Sequence, residues 1–191
     1  MSTTGVPDLS QMMSQVEAAQ PGKPLPPVDD WNPPNCGEID IRIARDGRWY
    51  HDGLPIGREP LVRLFSTILR HDPDGYYLVT PVEKLKITVE DAPFIAVRVD
   101  RVDGVLRFTT NLGDTTDAGP DHPLRVTVDP KTGEPAPYVH VRGGLLARLA
   151  RPVFYELVEM GEVKDTPAGP QVGVESGGAW FTLGKIDPTR L

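Results

Sequence analysis

The segment IDIRIARDGRWYHDGLPIGREP, residues 39–60, decides how the chain is read. Ile39, Ile41 and Ile43 alternate with Asp40, Arg42 and Ala44, the period-two pattern of a half-buried strand. Asp46-Gly47 marks a hairpin turn, because both residue types tolerate positive φ. Pro60 suits the first turn of a helix, where its missing N–H is not needed. Leu61, Leu64, Phe65, Ile68 and Leu69 then form one apolar stripe and predict a helix over 61–70. Asp72-Pro73-Asp74-Gly75 ends that helix in a turn. Strands are expected over 76–80 and 84–89, joined across Pro81.

The same order of elements recurs downstream. A strand over 124–128 turns at Thr132-Gly133 and returns along 138–142, and Gly133 lies 86 residues after Gly47. Leu145, Leu149, Val153, Leu157 and Met160 keep a helical period over 145–160. Pro152 cannot donate within that helix, so either a kink or a fresh helix start is expected there. Residues 171–175 and 179–183 close the copy as a hairpin around Ser176-Gly177-Gly178. The expected fold class is α+β: a duplicated strand-strand-helix-strand-strand unit with mostly antiparallel sheets.

Between the copies, residues 94–101 and 105–110 form a hairpin around Asp103-Gly104. Ile95, Val97 and Val99 are expected on one of its faces, and a polar loop over 111–123 follows. The chain thus divides into an N-terminal arm with a Pro-rich linker over 1–37, a first α+β unit with its linking hairpin over 38–110, and a second unit over 111–191. In the arm, Asp8-Leu9-Ser10 caps a short helix to about residue 19, with Met12, Met13 and Val16 as its apolar side. Six prolines from Pro21 to Pro34 hold the next segment extended, either laid on the body near Trp31 or offered to a protein partner. Residues 185–191 read as a loose end. Two repeated halves leave a seam, and seams are where ligand sites form.

Composition narrows the function. A 191-residue chain with 39% hydrophobic and 25% charged residues is ordinary for a globular protein. Its net charge of −7 argues against duplex nucleic acid and anionic membrane as partners. Cys36 is the single cysteine, which excludes an intrachain disulfide and a thiolate zinc site. Neither a secretory signal nor a membrane span is legible, so a cytoplasmic location is expected. The four histidines show no metal-ligand spacing, and no nucleophile elbow, phosphate-binding loop or dinucleotide fingerprint is present. No catalytic residue, metal or cofactor is assigned.

Chemistry concentrates in YVHVRGGLLARLAR, residues 138–151. Arg142, Arg148 and Arg151 stand there without an acidic residue among them. Gly143-Gly144 leads into what reads as a helix start, where free N–H groups favour an anion. Arg148 and Arg151 would share a helix face. The alternative is a glycine entry loop, with the arginines paired to nearby acids. Thr80 and Glu83, Asp91, and Thr110 with Asn111 place further polar groups at strand ends. Either they cap turns, or they converge at the seam on one ligand.

Residues 74–94 (DGYYLVTPVEKLKITVEDAPF), Thr110-Asn111, Asp121-His122-Pro123-Leu124 and residues 138–151 together resemble the bacterial domain-of-unknown-function family 1285. The resemblance spans about 38–184. It implies a duplicated α+β core whose C-terminal half is loosely pleckstrin-homology-like. It also implies a nucleotide-like ligand at the interface of the halves and a signalling role, with no catalytic residue to carry over. The matching positions are Thr80, Glu83, Asp91, Thr110, Asn111, Arg142, Arg148 and Arg151. The leading expectation is a binding or sensor protein for a small anionic, nucleotide-like ligand. A protein-interaction module and an enzyme acting on a phosphorylated small molecule are the alternatives.

Overall fold

Ile41 and Ile43 are 1% and 0% exposed, so the alternating isoleucines do form the inward face of a strand, β1 (Asn35–Ile43). The Asp46-Gly47 turn sends the chain back along β2 (Trp49–His51), with Ile43 opposite Trp49 and Ile41 opposite His51. The computed structural model describes residues 9–17 and 24–187, in two compact units divided between Asp91 and Ala92.

In the first unit, β3 (Leu54–Pro55) follows β2, and α2 (Glu59–Ser66) buries Val62, Phe65 and Ser66. The preceding helix, α1 (Leu9–Glu17), packs on α2 with Met12 fully buried. The side chain of Val16 and residues 18–23 lie outside the described residues. The helix predicted to run to residue 70 stops at Ser66. The Ser66 and Thr67 hydroxyls donate to the carbonyls of Arg63 and Leu64 at 2.6 Å each, closing the last turn. Leu69 instead opens a strand, β4 (Leu69–Asp72), paired antiparallel with β5 (Gly75–Val79). The strand β6 (Glu83–Val89) pairs antiparallel with β5 and parallel with β1.

The sheet order is β3-β2-β1-β6-β5-β4, two antiparallel three-strand meanders joined by their first and last strands. The Pro-rich approach is held against this unit. The guanidinium of Arg70, itself buried, donates to the carbonyls of Val28 at 2.9 Å and Trp31 at 2.8 Å. The backbone carbonyls of Val28 and Trp31 thus tie the approach to this unit.

The second unit repeats this topology in its own six-stranded sheet. Its first meander comprises β7 (Phe94–Val102), β8 (Val105–Thr110) and β9 (Thr115–Asp117). The other comprises β10 (Leu124–Val128), β11 (Pro135–Arg142) and β12 (Leu145–Leu149). A parallel pair between β12 and β7 joins them, giving the order β10-β11-β12-β7-β8-β9. The hairpin over 94–110 therefore carries its hydrogen bonds to strands of the second unit. The register shift between Ala96 and Arg98 also reverses its facing: Phe94, Ala96 and Val99 are buried, while Val97 is 50% exposed. Duplication is thus real. The helix falls between the two meanders in the first unit and after them in the second.

The single helix predicted over 145–160 is instead strand β12, then α3 (Arg151–Glu159), with Pro152 in its first turn. Gly143 and Gly144, at φ 50° and 76°, form a two-residue hairpin turn between β11 and β12. Beyond α3, β13 (Glu162–Thr166), β14 (Gly169–Ser176) and β15 (Ala179–Lys185) make a third, antiparallel sheet. Ser176 anchors it: its Oγ accepts the Leu106 amide at 2.8 Å and donates to the Ala118 carbonyl at 2.7 Å. Of the predicted loose end, residues 188–191 lie outside the described residues. Among the described residues, no helix is long and apolar enough to cross a membrane.

Candidate functional site

Strand β11 and β12 set the arginines. On one face of this hairpin, Tyr138 stands opposite Arg148, whose guanidinium lies 5.6 Å from the tyrosine ring centroid and donates to its hydroxyl at 3.3 Å. Arg148 and Arg151 do not share a helix face, because the first is on β12 and the second opens α3. They nevertheless meet at one cavity of about 250 Å³, walled also by Pro135, Pro137, Leu149, Phe154, Tyr155 and Glu134. Arg151 reaches Glu134 at 3.4 Å, with the two side chains 69% and 61% exposed. An ion pair that open is worth little, so an incoming anion can replace the carboxylate at small cost.

Arg142 is placed differently. It pairs with Asp114 at 2.7 Å and lies over the ring of Phe94. Thr110 belongs to the same neighbourhood. Its Oγ1 accepts the amides of Leu112 at 3.3 Å and Asp114 at 3.1 Å, so it closes the turn that presents Asp114 to Arg142. Asn111 exchanges two bonds with Ile95, its Oδ1 accepting the Ile95 amide at 3.0 Å and its own amide donating to the Ile95 carbonyl at 2.8 Å.

Thr80, Glu83 and Asp91 lie in the first unit. Thr80 is buried and its Oγ1 accepts the amides of Val82 and Glu83 at 3.4 and 3.1 Å, which builds the turn from β5 to β6. Partial burial pushes the Glu83 carboxyl above its ordinary range. Burial, followed by the charge of Asp91, raises the Tyr76 phenol. Thr80 thus serves its own turn, and of the residues singled out in the sequence Arg148 and Arg151 line a common cavity.

Sequence reasoning missed Tyr138, Glu134 and the aromatic pair Phe154 and Tyr155. Of these, the alternation Tyr138, His140 hinted only that Tyr138 shares a strand face with His140. It also missed a second cavity, of about 240 Å³, lined by Pro123, Arg125, Thr127, Tyr138, His140 and Leu146. At its edge His140 meets His122, with the two Nδ1 atoms 3.0 Å apart. Burial, and then the charge of His122, hold the His140 imidazole below its ordinary value. Among the described residues, no three histidine, cysteine or acidic side chains gather to hold a metal ion.

Two family descriptions match the chain: "Domain of unknown function (DUF1285), N-terminal domain" over residues 26–92 and "Protein of unknown function (DUF1285), C-terminal domain" over residues 93–183. The crystal structure of a DUF1285 family protein from Silicibacter pomeroyi DSS-3 is similar at 47% identity and a TM-score of 0.84, over 94% of this chain and 98% of that one. A DUF1285 family protein from Shewanella baltica OS155 is similar at 27% identity and a TM-score of 0.52, over 62% of this chain and 90% of that one. No curated protein matches.

Proposed function

The chain belongs to the DUF1285 family, and we propose that it is a binding protein whose second unit holds a small anionic, nucleotide-like ligand at Arg148 and Arg151. The observation that carries this reading is the convergence of those two guanidiniums on one cavity from different elements. Arg148 is steadied by Tyr138, so less side-chain freedom is lost when it grips an anion. Arg151 sits in the first turn of α3, where the helix dipole favours negative charge. Phe154 and Tyr155 offer aromatic surface beside the cations, which suits a ligand with a planar ring. At about 250 Å³ the space is below the usual range for drug-sized ligands and is open to solvent, which suits the phosphate end of a nucleotide-like ligand. A sensor role in the cytoplasm follows if a protein partner distinguishes the occupied state.

The test is thermal denaturation of the full chain with inorganic phosphate, pyrophosphate, nucleoside monophosphates and cyclic dinucleotides at millimolar concentration. A ligand present at a hundred times its Kd adds about 2.7 kcal/mol of stability. Arg148→Ala should cancel that gain while the ligand-free protein still unfolds cooperatively. If none of these compounds moves the transition, the reading is wrong.

A further inference from the structure

His122 and His140 come from different segments, the loop between β9 and β10 and the middle of β11, and their rings stand 5.1 Å apart, tilted by 32°. Their proton positions follow from a third group. The Gly144 amide donates to His140 Nε2 at 3.3 Å, so that nitrogen carries no hydrogen. A neutral imidazole has one N–H, which therefore sits on His140 Nδ1 and points at His122 Nδ1, 3.0 Å away. His122 accepts it and keeps its own proton on Nε2. The arrangement is complete with both rings neutral, and it has no room for another proton.

We propose that this pair is a proton-operated latch that fastens the His122 ring and the Gly143-Gly144 turn to the His140 ring on β11 and loosens both on acidification. A proton added at His140 Nε2 faces the Gly144 N–H and breaks that bond. A proton added at His122 Nδ1 faces the His140 N–H, so either the ring–ring bond is lost or His140 changes tautomer and again drops Gly144. Each added proton therefore removes a link between segments.

The surroundings bias where charge goes. On β9, Asp117 lies within the electrostatic reach of His122, while its main partner is Arg107 at 2.7 Å. Asp121 precedes His122 in the loop. On the other side, Arg125 of β10 and Tyr138 of β11 line the second cavity together with His140. Arg142, two residues on, is paired with Asp114. The backbone keeps the loop in place meanwhile: His140 N–H donates to the Pro123 carbonyl and Gly119 N–H to that of His122, each at 3.1 Å. Release consequently moves rings and the hairpin turn rather than unfolding the unit. Because His140 and Leu146 wall the second cavity, its mouth changes with pH.

The test is heteronuclear NMR of the full chain between pH 8 and pH 5, following the Gly144 amide and the imidazole nitrogens. In wild type the Gly144 amide should shift in step with the His140 ring, and its protection from exchange, taken relative to the intrinsic base-catalysed rate at each pH, should fall at least tenfold at the acid end. In His122→Gln, the remaining ring should titrate in one step and at higher pH than in wild type. A Gly144 amide that stays put while either ring titrates overturns the latch. So does a His140 titration identical in the two proteins, and the wild-type arm decides even if the variant folds poorly.

Discussion

The Arg142 guanidinium lies 2.7 Å from the Asp114 carboxylate, and the two side chains are each 21% exposed. With the Phe94 ring beneath it, Arg142 is committed to ordering the turn after β8. Arg142→Ala should therefore cost about 1–3 kcal/mol of stability, because a half-buried carboxylate loses its partner. Anion affinity at Arg148 and Arg151 should be unchanged. Urea denaturation and phosphate titration of the same variant separate the two effects. A variant of normal stability that no longer bound phosphate would return Arg142 to the ligand site.

The part of the fold that sequence makes legible is the local part. Ile39, Ile41 and Ile43 alternate and Asp46-Gly47 follows at once, so strand, turn and register all lie within a dozen residues. Leu145, Ala147 and Leu149 were harder. All three are buried at period two in β12, yet Leu145, Leu149, Val153 and Leu157 also fit a period of four. The deciding partner is β7, some fifty residues away and parallel, with Arg148 opposite Ile95. No local signal reports such a pairing. The same limit applies to the site: the arginines stand out in the sequence, but Tyr138 becomes the neighbour of Arg148 only once β12 is a strand.

Ser176 is fully buried and ties the third sheet to β8 and to the residue after β9. Ser176→Ala leaves the Leu106 amide without an acceptor in the interior, which should cost about 1–3 kcal/mol. Equilibrium denaturation checks this. A loss under 0.5 kcal/mol, an estimate of ordinary surface effects, would mean that water reaches the Leu106 amide.

Arg70 holds Asp72 through two bonds, at 2.9 and 3.0 Å, and binds the carbonyls of Val28 and Trp31 with the same guanidinium. A lysine ammonium cannot reproduce that planar fork. Arg70→Lys should lower stability by about 2–4 kcal/mol and speed proteolysis within residues 24–34. Unaltered cleavage there would show that the approach segment is held by other contacts.

Glu134 competes with any anion for Arg151, and the pair is open to solvent. Glu134→Gln should tighten phosphate binding by about 1.4- to fivefold, the range expected for removing an exposed ion pair of about 0.2–1 kcal/mol. Raising salt should shrink the difference between variant and wild type. Weaker binding in the glutamine variant would indicate that the carboxylate helps to position Arg151 instead of blocking it.

Two groups, His140 and Asp72, give the pH dependence of stability the same sign, and Glu83 opposes them. His140 is held below its ordinary value of 6.5 by burial, then by His122, so the unfolded chain takes up a proton before the folded one. Its contribution is complete above pH 6.5 and falls away as the pH drops toward its folded value. Asp72 acts lower. Burial pushes its carboxyl up, but hydrogen bonds and charge from Arg70 and Lys84 outweigh that and leave it below the ordinary 3.8. That contribution is present above pH 3.8 and is lost as the pH falls through the folded value. Glu83 runs the other way: burial raises its carboxyl above 4.5, so the folded state gains relative stability as Glu83 protonates. Denaturation free energies measured from pH 8 to pH 3 should therefore decline first below pH 6.5 and again below pH 4. His140→Gln should flatten the first decline and leave the second, while Glu83→Gln should be neutral or stabilising at pH 7. A first decline that persists in His140→Gln would assign it to a different group.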